Sequence, residues 1–176
     1  MNQRTIKNPV ELEGKGLFSG VPVQLRLRPA PADSGIAFVR TDLHNAPRIP
    51  VHPQSVTDKL RSVGLVSEEG VEVDTIEHLM SALGGLGIDN IEIDLSAQEV
   101  PNPDGCSDAF ADLIESASIV DLSENREVIT VKEPISITEK DSSIVVLPSH
   151  SPLTISYSLS YPGTVLGQQH FSLELN

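Results

Sequence analysis

Apolar and polar residues alternate along most of this chain, and the alternation gives way to helical spacing at two places. In VPVQLRLR, Val21, Val23, Leu25 and Leu27 share one face of a strand, while Gln24, Arg26 and Arg28 take the other. Residues 4–13 form an earlier strand-like run, joined to 21–28 through glycine-rich GKGLFSG. After the turn-forming PAPADSG, GIAFVRT supplies another strand, whereas NAPRIPVHP carries too much proline for a central strand or a helix. SVGLVS, EEG and VEVDT then read as two strands around a turn.

The period changes in DTIEHLMSALGGLG, where Ile76, Leu79, Met80 and Leu83 recur at the spacing of an amphipathic helix. Asp74 or Thr75 is expected to cap its start, with Asp74 and Glu77 forming a capping box, and Gly84, Gly85 and Gly87 to end it. NIEIDLS returns to alternation, PNPDG makes a turn shaped by Asp104, and a second helix is expected over Ser107–Ala117, burying Phe110, Leu113, Ile114 and Ala117. VDLSENRE (120–127) reads as a connector. It divides a first α+β domain, 1–122, from a second region, 127–176, in which EVITVKE, ISITE, SIVVLPS, LTISYSLSY and QHFSLEL all look like strands. That region has no helix to cover its sheet, and its last strand runs to Asn176, so the chain is expected to stop within a second α+β domain.

Composition narrows the function. With 39% hydrophobic and 21% charged residues, the 176-residue chain has the balance of a globular protein. A formal net charge of -13 argues against a nucleic-acid partner, because phosphate contacts need local Lys or Arg. The single cysteine, Cys106, excludes an internal disulfide and fits a reducing compartment. No apolar run reaches the roughly 20 residues of a membrane span. A cytoplasmic protein without a transmembrane segment is expected.

Candidate chemistry centres on Glu77-His78. At helical spacing His78 points away from the apolar stripe and Glu77 lies on its flank, so His78 does not read as core packing. Taken alone, an adjacent Glu-His pair is common by chance, and ordinary polar residues on a solvated helix face are the favoured reading. It is not H-E-x-x-H, and His44, His52, His150 and His170 form no second ligand pair with it. GKGLFSG lacks phosphate-loop spacing and reads as a structural turn. Cys106 sits at a helix start, where a dipole could lower its pKa, but no neighbouring histidine activates it and a small turn residue is the simpler reading. Asp89 and Asn90 are expected to shape the turn after the first helix.

TIEHLMSALGGLGIDNIEIDL (75–95), with RTIKNPVELEGKGLFSG, LRLRPAPADSGIAFVRTDL, IPVHPQSV and PNPDGCSDAF in order around it, resembles the amino-terminal portion of the UDP-3-O-acyl-N-acetylglucosamine deacetylases, the zinc amidases of lipid A synthesis. The resemblance covers residues 3–176. It implies two α+β domains, each a helix-covered sheet, with the active site in the cleft between them, in a cytosolic and usually monomeric enzyme. It further implies that Zn2+ is the cofactor, that His78 is a zinc ligand and that Glu77 is the general base, acting on the acetyl amide of UDP-3-O-(3-hydroxyacyl)-N-acetylglucosamine. In the family the other ligands come from an H-K-x-x-D motif, and the general acid is a histidine, both in the second domain; this sequence contains no such motif. Phe18 stands where many relatives have histidine, and Cys106 where the turn often has serine. The alternative to a partial enzyme is a truncated, non-catalytic relative serving as a binding module or remnant. By either reading, the 176-residue chain alone is expected to lack meaningful activity.

Overall fold

The structure is a computed structural model and describes residues 1–59 and 61–175. It is α+β and divides into two compact units, Met1–Arg126 and Glu127–Asn176.

In the first unit the strands are β1 (Asn2–Ile6), β2 (Val10–Lys15), β3 (Pro22–Pro29), β4 (Ile36–Arg40), β5 (Arg48–Pro50), β6 (Val56–Lys59), β7 (Ser62–Val66), β8 (Glu72–Asp74), β9 (Ile91–Leu95) and β10 (Ile119–Asn125), with helices α1 (Glu77–Gly85) and α2 (Asp108–Ser116). The central sheet has the order β2-β3-β9-β4-β5, antiparallel except where β4 runs parallel to β9. Register puts Leu25 beside Leu95, Leu27 beside Ile93, and Ile93 beside Phe38, so one face is continuous hydrocarbon. These five side chains are fully buried and join Leu79, Leu83, Phe110 and Ile114 of the helices in one core. At about 25 cal/mol per Å² of apolar surface, burial of each such side chain stabilises the fold by about 1.5–3 kcal/mol. The other face is an ion-pair ladder, in which Arg28 bridges Glu92 and Asp94 at 2.7 Å each and Arg48 reaches Glu92 at 3.2 Å. A half-exposed ladder of this kind adds solubility more than stability.

Three expectations are corrected here. Residues 120–127 are not simply a connector: Ile119–Asn125 is β10, hydrogen-bonded antiparallel to β1. The expected strand over 4–13 is two strands, broken at Lys7-Asn8-Pro9, because proline has no N–H for a ladder bond. Glu127–Glu133 has no regular structure, although EVITVKE alternates like a strand. Alternation reports what a strand would bury, and here Val128 and Ile129 are exposed with no facing layer.

The second unit consists of two hairpins, β11 (Ile135–Glu139) with β12 (Ser142–Val146) and β13 (Thr154–Tyr161) with β14 (Gly167–Glu174). The expected strand end at Asn176 lies outside the described residues. None of the unit's described residues is buried, and Ile137, Ile144, Tyr157 and Phe171 are each 60% exposed or more. Isolated two-stranded hairpins are marginal in water. Limited trypsin digestion of the chain should therefore remove residues after Arg126 and leave a resistant fragment near Met1–Arg126. Mass spectrometry of the products checks this, and equal resistance of both units would contradict it.

Candidate active site

The first residue of α1 is Glu77 and the second is His78, so both candidates stand at the helix amino terminus. The chain reaches them through Thr75, a β-branched residue at φ 60°, a left-handed conformation that costs about 1–3 kcal/mol and persists only where its surroundings enforce it. The Thr75 side chain is buried and its hydroxyl donates to Glu99 Oε1 at 3.1 Å. Next, Ile76 N donates to Val63 O at 3.1 Å, docking the helix start on β7. The expected capping box is absent: Ile76 is the cap residue and no side chain caps the helix. Asp74 is unavailable because it ends β8, accepts from Gln98 Nε2 at 2.7 Å and lies 3.3 Å from Lys59 Nζ. Thr75 is unavailable because its hydroxyl serves Glu99.

Glu77 is half-buried and its Oε2 accepts from Val63 N at 3.1 Å. The second carboxylate oxygen has no protein partner among the described hydrogen bonds, so one end of the group is braced and the other is free to accept. His78 is half-buried too, while Ile76, Leu79 and Leu83 on the stripe are buried. Met80, the fourth residue of the stripe, is half-buried like His78. In the turn before α2, Asp104 accepts from Cys106 N at 3.0 Å. Hydrogen bonds from Cys106 hold the Asp104 carboxyl below its ordinary value. The same contact pushes the Cys106 thiol up, so the thiol is not activated and Cys106 acts as a turn residue.

A cleft of about 560 Å³ opens beside the Thr75 turn, walled by Phe18 and Ser19 of the glycine-rich loop, Lys59 and Ser62 of the β6–β7 hairpin, and Thr75 and Glu99. Glu77 and His78 are not among its walls. Lys59 contributes little free charge there, because hydrogen bonding to Glu72 at 2.9 Å, with Asp74 close by, holds its ammonium protonated and neutralised. Phe18 and Val21 are exposed and give the cleft an apolar lip.

Glu99 escaped the sequence reading. It is 5% exposed and accepts from Phe18 N at 2.9 Å, Ser19 N at 2.8 Å and the Thr75 hydroxyl. No periodicity in Ser96-Ala97-Gln98-Glu99-Val100 marks it. Burial pushes its pKa up, but the hydrogen bonds from Phe18, Ser19 and Thr75 outweigh burial and hold it below the ordinary 4.5. A lowered folded-state pKa means stability that is fully present above the unfolded value and lost as pH falls through the folded one. Acidification from neutral pH into that range should therefore release the Phe18 and Ser19 amides before the Ile93 amide of the central sheet. Hydrogen-exchange NMR at stepped pH, corrected for intrinsic rates, checks the order.

Asp89 and Asn90 do shape the turn after α1, and more besides. Asp89 accepts from Arg4 N at 2.8 Å and Arg126 at 2.9 Å, and buried Asn90 links Gly35 N to Gln3.

Among the described residues no group of three or more His, Cys, Asp or Glu side chains could hold a metal ion. His78 offers a single imidazole, which fits one corner of a zinc coordination sphere and not the whole of it, since a catalytic zinc takes about three protein ligands. No helix among the described residues is long and apolar enough to cross a membrane.

Comparison with known proteins supplies the context for this arrangement. The family model for UDP-3-O-acyl N-acetylglycosamine deacetylase matches residues 3–176. The UDP-3-O-acyl-N-acetylglucosamine deacetylase of Chromohalobacter salexigens is 41% identical over 169 residues, covering 96% of this chain and 55% of that protein. Its counterpart in Hahella chejuensis is 41% identical over 163 residues, 92% of this chain and 54% of that protein. The one in Myxococcus xanthus is 39% identical over 173 residues, 98% of this chain and 54% of that protein. The chain thus spans about half the length of the curated relatives it matches. With its α+β unit, its Glu77-His78 helix start and a match across nearly its whole length, the chain belongs to the UDP-3-O-acyl N-acetylglycosamine deacetylase family.

Proposed function

We propose that this chain supplies the general base and one metal ligand of a zinc-dependent amide hydrolase that removes the acetyl group from UDP-3-O-acyl-N-acetylglucosamine in lipid A synthesis. The observation that carries the reading is the placement of Glu77 and His78 on the first turn of α1, with Glu77 braced by Val63 N–H at 3.1 Å, within a family match spanning residues 3–176.

Glu77 has the attributes of a base: one carboxylate oxygen is held and the other is free to accept a proton from water. That water would add to the amide carbonyl, the C–N bond would break as the amine takes up a proton, and acetate and the free amine would leave. His78 would hold zinc together with ligands that the described residues do not provide. Zinc, when bound, supplies polarisation of the amide carbonyl and of the attacking water. The protonation of the departing amine likewise needs a general acid beyond this set.

Acetate release from the UDP-3-O-acyl sugar by the complete gene product, measured with and without chelator, tests the reading. Chelator-sensitive release supports it, and an intact substrate with a folded, zinc-supplied protein would sink it. The 176 residues by themselves are expected to release no acetate above buffer and to lose zinc on dialysis, because one imidazole cannot retain it. Metal analysis after dialysis, alongside the same assay, checks both points.

A further inference from the structure

Among the described residues Glu99 is the one buried carboxylate, and the reaction does not use it. It is 5% exposed, yet it forms no ion pair with any described cation and is held only by neutral donors. A buried charge without a counter-charge is costly, so its position calls for a role. Its partners lie in separate parts of the sequence: the glycine-rich loop at Phe18 and Ser19, and the left-handed Thr75 that directs the chain into α1. The backbone around it is pinned as well, with Asp74 N donating to Gln98 O at 2.9 Å and Val100 N to Asp74 O at 3.0 Å. The loop closes on the carboxylate so tightly that a Cβ at Gly16 would collide with Glu99 Oε2 and Ser19 Oγ and would lie 2.7 Å from Glu99 Cδ. A side chain at position 16 would therefore have to displace the Glu99 carboxylate or the Ser19 hydroxyl.

We propose that Glu99 is a positioning residue. Its carboxylate ties the Phe18–Ser19 lip of the cleft to the Thr75 turn and thereby fixes where α1 begins and how Glu77 and His78 are presented. This rests on the reading of Glu77 and His78 as the reacting pair. Glu99 touches neither of them; it acts through Thr75, Ile76 and the docking of Ile76 N and Glu77 Oε2 on Val63.

The test is Glu99→Gln, which keeps the shape and removes the charge and one acceptor. In NMR of the 176-residue chain, exchange of the Phe18 and Ser19 amides should accelerate by at least about tenfold, the loss of a charge-assisted hydrogen bond. The Val63 amide and the His78 ring signals should shift with them, while Leu25 and Ile93 amides stay in place. If Phe18 and Ser19 are released but Val63 and His78 do not move, Glu99 merely pins the loop and the proposal is overturned. Should Glu99→Gln fail to fold, Thr75→Val decides the matter, since it removes only the hydroxyl bond. It should shift Val63 and His78 and leave Phe18 protected, and unmoved Val63 and His78 signals would overturn the proposal equally. In the complete enzyme, Glu99→Gln should lower kcat about tenfold or more with KM within about twofold, the mark of a misplaced reacting group rather than lost binding. An unchanged kcat in a protein whose Glu77→Gln variant is inactive would overturn the positioning role alone. Full activity of Glu77→Gln would instead overturn the function on which it rests.

Discussion

Glu77→Gln in the complete enzyme should lower kcat for acetate release by about 10²–10⁴-fold, the usual contribution of a general base, with KM little changed. Glutamine keeps the size of the side chain and can still accept from Val63 N, so the brace to β7 at 3.1 Å survives. What it loses is the capacity to take a proton. The substitution therefore separates chemistry from structure. Glu77 is half-buried at a helix start and contributes nothing to the hydrocarbon core, so stability should change by no more than about 0.5 kcal/mol, the range of substitutions outside packed features. Steady-state kinetics and a thermal melt on the same preparation check the pair of expectations. A large kcat loss with an unchanged melt supports the assignment. A melt that collapses, or a kcat that does not move, contradicts it.

His78→Ala should weaken zinc binding by the complete enzyme by more than about 100-fold. Removing even an outer-sphere partner of a metal ligand costs about 10–100-fold, and a ligand itself must cost more. Activity should fall with metal occupancy, but excess zinc should restore only part of it, because the remaining ligands no longer define the open position for water. The imidazole lies off the buried stripe of Leu79 and Leu83, so the apo-protein melt should be unaffected. Metal content by elemental analysis at graded chelator strength gives the affinity, and wild-type occupancy in His78→Ala would contradict the role.

How far the sequence discloses this depends on whether a feature is local. The helix from Glu77 follows from a stripe of neighbours three and four apart, and the sheet core follows from alternation in VPVQLRLR and NIEIDLS; both need only short-range periodicity. β10 was misread because VDLSENRE is polar on most positions, and its strand state comes from pairing with β1 more than a hundred residues earlier in the chain. The capping box was misread because Asp74 and Thr75 are of the right type, but Lys59, Gln98 and Glu99 compete for their side chains. Glu99 was missed for the most basic reason: its role exists only where the loop at Phe18, the turn at Thr75 and the segment after β9 converge. Periodicity cannot signal a meeting of three distant segments. The glycine-rich loop did carry a trace of it, since GKGLFSG is richer in glycine than a plain turn requires, and Gly16 is the residue that lets the loop reach the carboxylate.

The claim at the centre of this account is that the first turn of α1 presents a base and a metal ligand side by side. A crystal structure of the complete gene product with zinc, phased at the zinc edge, tests it most directly. The account predicts anomalous density about 2.0–2.1 Å from a ring nitrogen of His78, with the free carboxylate oxygen of Glu77 facing the metal's open side. Zinc bound elsewhere, with His78 in contact with solvent alone, would contradict it.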